Sequence, residues 1–147
     1  MVDTTKIKTV IEPYVRNWLS EKFPEHVFKE RPIQLKSGES YTFDAVAEDA
    51  SIVVAILSNR AKTKTGRENT GGVRKALLEI CYLKAVPESV KKVIVFTDDD
   101  FYQLIRRRAS RLGTEPIQMM VCRLPPHQQA LLREILDTAS REQRAAE

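Results

Sequence analysis

The sequence contains little of what marks a secreted, zinc-bound or membrane protein. Its 147 residues include two cysteines and two histidines, with no CxxC or Cys/His cluster, which argues against a zinc site. Both cysteines, Cys81 and Cys122, stand among apolar neighbours, so we expect buried, reduced thiols. The longest apolar runs, 52–57 and 93–96, are far shorter than the roughly 20 residues of a transmembrane helix.

Other absences narrow the function further. Residues 1–6 lack the apolar segment and cleavage site of a signal peptide, which favours a cytoplasmic protein. Lys62-Thr63-Lys64-Thr65-Gly66 is not a P-loop, because the required glycine and lysine order is missing. No motif for a catalytic serine is present. The net charge of +4 permits anionic partners but does not require them.

What is present is the composition of one ordinary globular domain over residues 1–147. Hydrophobic residues make up 42% and charged residues 30%. Hydrophobic periodicity predicts helices at about 5–22, 73–85, 101–112 and 126–142, with a frayed tail to residue 147. It predicts strands at about 27–35, 41–46, 51–57, 92–97 and 117–124.

Several positions sharpen this prediction. Pro13 should kink the first helix or delay its start. The apolar strand 51–57 should be buried on both faces. The polar segment 59–72, which contains three glycines, should be a loop. The second helix is apolar over much of its circumference, so we expect it to lie between the sheet and another element.

The order of elements predicts an α/β fold with a mixed sheet of about five strands flanked by helices. Its α-β-β-β-α-β part, about Thr5 to Leu124, is similar to the core of the restriction-endonuclease-like fold, the PD-(D/E)XK superfamily. The stretch "YTFDAVAEDASIVVAILSNRAKTKTG" resembles the hairpin that carries that family's active site, and "GGVRKALLEICYLKAV" resembles the following helix. The family places an aspartate on the second strand and an acid-x-lysine triplet on the third, where the carboxylates hold Mg²⁺.

The resemblance is incomplete at the active site. Asp44 matches the strand aspartate, but Ala55 and Leu57 stand where the acid and the lysine belong. Neither side chain can bind a metal or donate a hydrogen bond. The resemblance therefore implies a nuclease-like nucleic-acid-binding or regulatory module with an inactive metal site and no cofactor.

An alternative is an active Mg²⁺-dependent DNA endonuclease with relocated residues. Some family members carry an acid on the helix after the hairpin, where Glu79 lies, or on the first helix, where Glu12 lies. Metal ligands would then be Asp44, Glu12 and Glu79, and Lys62 or Lys64 would reach back from the loop. Each acid also has a structural reading: Asp44 as an outward-facing strand residue, and the two glutamates as solvated helix positions.

A dense basic segment follows the hairpin. Six bases fall within sixteen residues, opposed by Glu68 alone: Arg60, Lys62, Lys64, Arg67, Arg74 and Lys75. Such residues can contact nucleic-acid phosphates, DNA in particular, or can form a solvated surface. Arginines 106, 107, 108 and 111 complement the dipole of the third helix, and nucleic-acid contact is their alternative role. A further alternative function is a protein-interaction domain that keeps the fold for packing alone. By analogy with small proteins of this type, a homodimer is a possible assembly.

Overall fold

The computed structural model describes residues 5–146, with side chains described for residues 5–138. In this range helices and strands follow the predicted order. The α-helices are α1 (Glu12–Lys22), α2 (Thr70–Lys84), α3 (Asp99–Ala109) and α4 (Pro126–Ala146). The strands are β1 (Phe28–Gln34), β2 (Ser40–Ala47), β3 (Ile52–Leu57), β4 (Lys91–Phe96) and β5 (Gln118–Val121).

The five strands form one mixed sheet in the order β1-β2-β3-β4-β5. β1, β2 and β3 are antiparallel neighbours, whereas β3, β4 and β5 run parallel. The predicted α/β class with a five-stranded mixed sheet is confirmed. None of the helices within residues 5–146 has the combined length and apolar character required to span a bilayer.

Helices cover both faces of the sheet. α2 and α3 pack on one face, because the two crossovers from β3 to β4 and from β4 to β5 step in the same direction and share one handedness. α1 and α4 pack on the other face. β3 lies between them and all six of its residues are buried, as predicted. Val53, Ala55 and Leu57 face α2 and α3, while the alternate residues face α1 and α4.

The helix ends differ in part from the prediction. A π-helical turn at Ile7–Ile11 runs directly into α1, so residues 5–22 are helical as predicted, and Pro13 lies at the junction of the two helix types. α4 reaches Ala146 rather than ending near residue 142, and Glu147 lies outside the described residues.

The segment 59–72 is more ordered than a loop. The Thr63 N–H donates to the Arg67 carbonyl at 2.7 Å, inside a small hairpin. α2 then begins at Thr70, because the Asn69 side chain caps it by accepting a hydrogen bond from the Gly72 N–H. A Cβ at Gly72 would lie 2.5 Å from the Asn69 amide nitrogen, so this turn requires glycine.

The burial predicted for α2 was also wrong in part. Cys122 is buried, but Cys81 is exposed, and the Leu78 side chain is 53% exposed on the outer face of the helix. The apolar side chains of α2 therefore extend around the helix beyond the side that packs on the sheet.

Two leucines of α2 provide a matched test of this arrangement. Leu83 is fully buried, so Leu83→Ala should lower the free energy of unfolding by about 2–5 kcal/mol through lost burial and a cavity. Leu78→Ala removes the same atoms from an exposed site and should change it by no more than about 0.5 kcal/mol. Urea denaturation measures both. Equal losses would contradict this placement of α2.

Candidate active site

The candidate site forms where β2 and β3 separate. The two strands are antiparallel partners, with Ala45 opposite Val54. At the next position on β2, the Asp44 carboxylate accepts a hydrogen bond of 2.8 Å from the Ile56 backbone N–H. The Asp44 side chain thus takes the place of a backbone hydrogen bond between the strands. The Ile56 N–H in turn holds the Asp44 carboxylate in the gap between them.

A β-bulge lies beside this gap. The register between β1 and β2 shifts by one position between Lys29 and Arg31, so Glu30 lies opposite both Asp44 and Ala45. Bulges turn side chains out of the regular alternation and are common next to active sites. Glu30 was not among the candidates chosen from the sequence, since a bulge depends on the pairing of two strands.

α1 contributes a second acid and its partner. Glu12 is the first residue of α1 and only 7% exposed. The Arg16 guanidinium donates to the Glu12 carboxylate at 3.3 Å and to the Asp44 backbone carbonyl at 2.9 Å. Arg16 therefore fixes α1 against β2 at the site.

Three carboxylates converge at this point. Single carboxylate oxygens of Glu12, Glu30 and Asp44 all lie within 4.8 Å of one another. Burial raises the pKa of Glu12, and the Asp44 charge raises it further. Burial also raises the pKa of Asp44, against the opposing effect of the Ile56 hydrogen bond. Hard carboxylate oxygens this close together are the donor set that Mg²⁺ or Mn²⁺ prefers.

α2 brings an acid and a lysine from the other face of the sheet. Lys75 and Glu79 are four positions apart, so they share one side of the helix. The Tyr41 hydroxyl donates to the Glu79 carboxylate at 2.5 Å, and the Tyr41 ring stacks on Tyr82 at 3.8 Å. Burial raises the pKa of Glu79, which the Tyr41 hydrogen bond and the Lys75 charge partly offset.

Glu12, Asp44, Lys75 and Glu79 line one cleft of about 100 Å³ at the carboxyl end of β3, which we call the carboxylate cleft. The three metal-ligand candidates chosen from the sequence thus line one cleft, but only Glu12 and Asp44 of the three belong to the described group of oxygens within 4.8 Å, in which Glu30 takes the third place. The lysine in the cleft is Lys75, which the sequence analysis placed among the nucleic-acid contacts. Its spacing from Glu79 was a readable signal for this position.

Neither loop lysine lines the carboxylate cleft. Lys62 is exposed and borders a separate cleft with Arg60, Arg107 and Arg133, and Lys64 is exposed in the small hairpin. The Ala55 and Leu57 side chains are fully buried beneath α2 and α3 and provide no ligand.

The six predicted nucleic-acid contacts are distributed over three clefts, the small hairpin and α2. Arg60 forms an ion pair with Asp137 at 2.5 Å and lines two clefts beside the carboxylate cleft. Arg67 is exposed on the small hairpin, and Arg74 is exposed on the second turn of α2.

The chain matches no protein-family model, no curated protein and no solved structure.

Proposed function

We propose that the chain is a metal-dependent nuclease of the restriction-endonuclease-like type, whose second acid and lysine have moved from β3 to α2. The observation that carries this proposal is the carboxylate cleft, where Glu12, Asp44, Glu79 and Lys75 meet. Acids and a lysine around one small cleft are the groups that phosphodiester hydrolysis uses.

The donor set suits a divalent cation. Carboxylate–metal bonds measure about 2.0–2.6 Å, so oxygens within 4.8 Å of one another can share one ion. Glu12, Asp44 and Glu30 would hold it. When bound, Mg²⁺ or Mn²⁺ supplies Lewis-acid polarisation of the phosphodiester.

The remaining groups position the substrate and a proton. The exposed Lys75 ammonium can meet a phosphate and stabilise charge that develops on it. Glu79, held by Tyr41, has a pKa raised by burial above that of a free carboxyl, and such a carboxylate in a cleft suits a group that accepts a proton from an attacking water.

The second candidate is a nucleic-acid-binding or regulatory module without catalysis. The fully buried Ala55 and Leu57 favour it, because the two β3 positions at which the family keeps its acid and lysine are apolar. This module would bind DNA through the exposed basic side chains and would not cleave it in the presence of Mg²⁺ or Mn²⁺.

Asp44→Asn separates the two candidates. Wild-type protein should cleave plasmid or single-stranded DNA in Mg²⁺ or Mn²⁺, and the variant should lose about 100- to 1,000-fold in rate, because a ligand charge is removed. Asp49→Asn is the matched control, since Asp49 is an exposed acid in the β2–β3 turn. Absence of wild-type cleavage in both metals would favour the binding module.

A second comparison tests which lysine acts. Lys75→Gln should lower kcat about 100-fold through lost charge stabilisation in the carboxylate cleft. Lys62→Gln removes the same charge outside that cleft and should affect KM and its salt dependence rather than kcat. Steady-state cleavage kinetics measure both. The reverse pattern would return the catalytic role to Lys62.

The buried acids predict an unusual dependence of stability on pH. Because burial raises the pKa of Glu12 in the folded chain, folding takes up protons, and the free energy of unfolding falls as pH rises through the carboxyl range. In EDTA at neutral pH, Glu12→Gln should therefore raise the free energy of unfolding by about 0.5–2 kcal/mol. This gain should vanish below the unfolded-state pKa of about 4.3, because there the Glu12 carboxyl is protonated in both the folded and the unfolded chain.

Urea denaturation from pH 3 to pH 8 measures this effect, with the exposed Glu21→Gln in the same helix as control. Mn²⁺ should stabilise the wild type more than Glu12→Gln, because only the wild type retains the ligand. A loss of stability at every pH would assign Glu12 to a structural pair with Arg16 instead.

A further inference from the structure

A larger cleft adjoins the carboxylate cleft. Its volume is about 390 Å³, and it shares Ser58, Asn59 and Leu136 with the carboxylate cleft. It lies at the carboxyl ends of the parallel strands β3, β4 and β5, which is where α/β sheets bind ligands. We call it the arginine cleft, after Arg60, Arg123 and Arg133 in its lining.

The arginine cleft combines an apolar floor with a basic rim. Val121, Leu124 and Leu132 supply apolar surface. Arg123 and Arg133 are exposed at the rim, and neither forms an ion pair with any residue whose side chain is described. An apolar surface suits the face of a base, while unpaired guanidinium groups suit its phosphate.

The two acids that line the same cleft, Asp98 and Asp99, stabilise the start of α3. The Asp98 carboxylate caps this helix by accepting a hydrogen bond of 2.8 Å from the Phe101 N–H. Asp99 lies in the first turn, where the helix dipole stabilises negative charge. The two rim arginines have no such partners and remain available to an anion.

A polar group inside the arginine cleft is also available. The Thr97 hydroxyl is buried and has no hydrogen-bond partner among the described residues. The Gln129 amide nitrogen donates to the Leu124 carbonyl at 2.7 Å, which leaves its oxygen free to accept. The accessible polar group is therefore the Gln129 amide, whereas the Thr97 hydroxyl lies beneath the lining of the cleft.

A third cleft of mixed charge adjoins the arginine cleft. Its volume is about 630 Å³, it shares Arg60, Asp98 and Arg133 with the arginine cleft, and it adds the bases Lys62 and Arg107 and the acids Glu68 and Asp100. Shared lining residues therefore connect the carboxylate cleft, the arginine cleft and this third cleft in series. Such a series provides room for the nucleotides that flank one bound in the arginine cleft.

The size of the arginine cleft limits what can enter it. Its volume falls within the roughly 300–1,000 Å³ of small-ligand sites, which suits one nucleotide rather than a double helix. A base inside a duplex would have to leave its stack and its partner to enter. We propose that the arginine cleft binds one unpaired nucleotide beside the scissile phosphate, so that the preferred substrate is single-stranded nucleic acid. Cleavage of that phosphate rests on the proposed nuclease function, whereas binding of the single strand does not.

Fluorescence anisotropy in EDTA tests binding without cleavage. The probes are a labelled single-stranded DNA, a single-stranded RNA of the same sequence, and the blunt DNA duplex. Single strands should bind at least about tenfold more tightly than the duplex, since they need no unpairing. The DNA and RNA arms identify which sugar the cleft prefers.

Arg123→Gln and Arg133→Gln should each weaken single-strand binding several-fold. Each should also reduce the slope of log affinity against log salt by about 0.7, the value for one lost phosphate contact. Lys22→Gln and Lys29→Gln remove one positive charge each from exposed positions outside these clefts and should leave affinity and slope unchanged. Circular dichroism confirms that the four variants fold.

The possible results separate the two proposals. If the duplex binds as tightly as single strands, or if the rim variants behave like the controls, the role of the arginine cleft is overturned even when the protein cleaves DNA. If the rim variants weaken single-strand binding but the wild type cleaves nothing, this inference is supported and the nuclease proposal fails.

Discussion

The hydrogen bond from the Ile56 backbone N–H to the Asp44 carboxylate determines the geometry of the whole site. Beyond Ala45 the two central strands stop pairing, and an N–H of β3 would be left without a partner inside the sheet. The Asp44 side chain satisfies that donor, and the donor in turn offsets part of the cost of burying a carboxylate. Because the strands separate here, Glu12 from one face of the sheet and Glu79 from the other reach the same cleft.

The elements of the fold could be predicted because each has a local physical signal. The continuous apolar run of β3 identified a strand buried on both faces, and the structure places it between β2 and β4. The periodicity that predicted a helix at about 101–112 identified α3, whose start at Asp99 is two residues earlier because the Asp98 side chain caps it. The pairing of β2 with β3 followed from the short turn that joins them.

The parts of the site that escaped prediction depend on tertiary structure. Glu30 reaches Asp44 through a bulge, and a register shift of one residue leaves no mark in the sequence of a single strand. Lys75 and Glu79 had the spacing of helix neighbours, but comparison with the family directed attention to β3 and to the loop lysines. The exposure of Leu78 and Cys81 depends on how much of α2 the sheet covers, which periodicity does not specify.

Burial explains why an acid and a lysine can be accommodated on α2 but not at the neighbouring positions of β3. Ala55 and Leu57 lie in the core beneath α2 and α3, where an acid or a lysine would lose its hydration. On α2, Glu79 retains a hydrogen bond from Tyr41 and Lys75 retains solvent. Counted together, four carboxylates face three bases around the cleft: Glu12, Glu30, Asp44 and Glu79 against Lys8, Arg16 and Lys75. Under the proposed function, a divalent cation bound here would outweigh this small excess of negative charge, and the resulting positive balance would suit a phosphodiester.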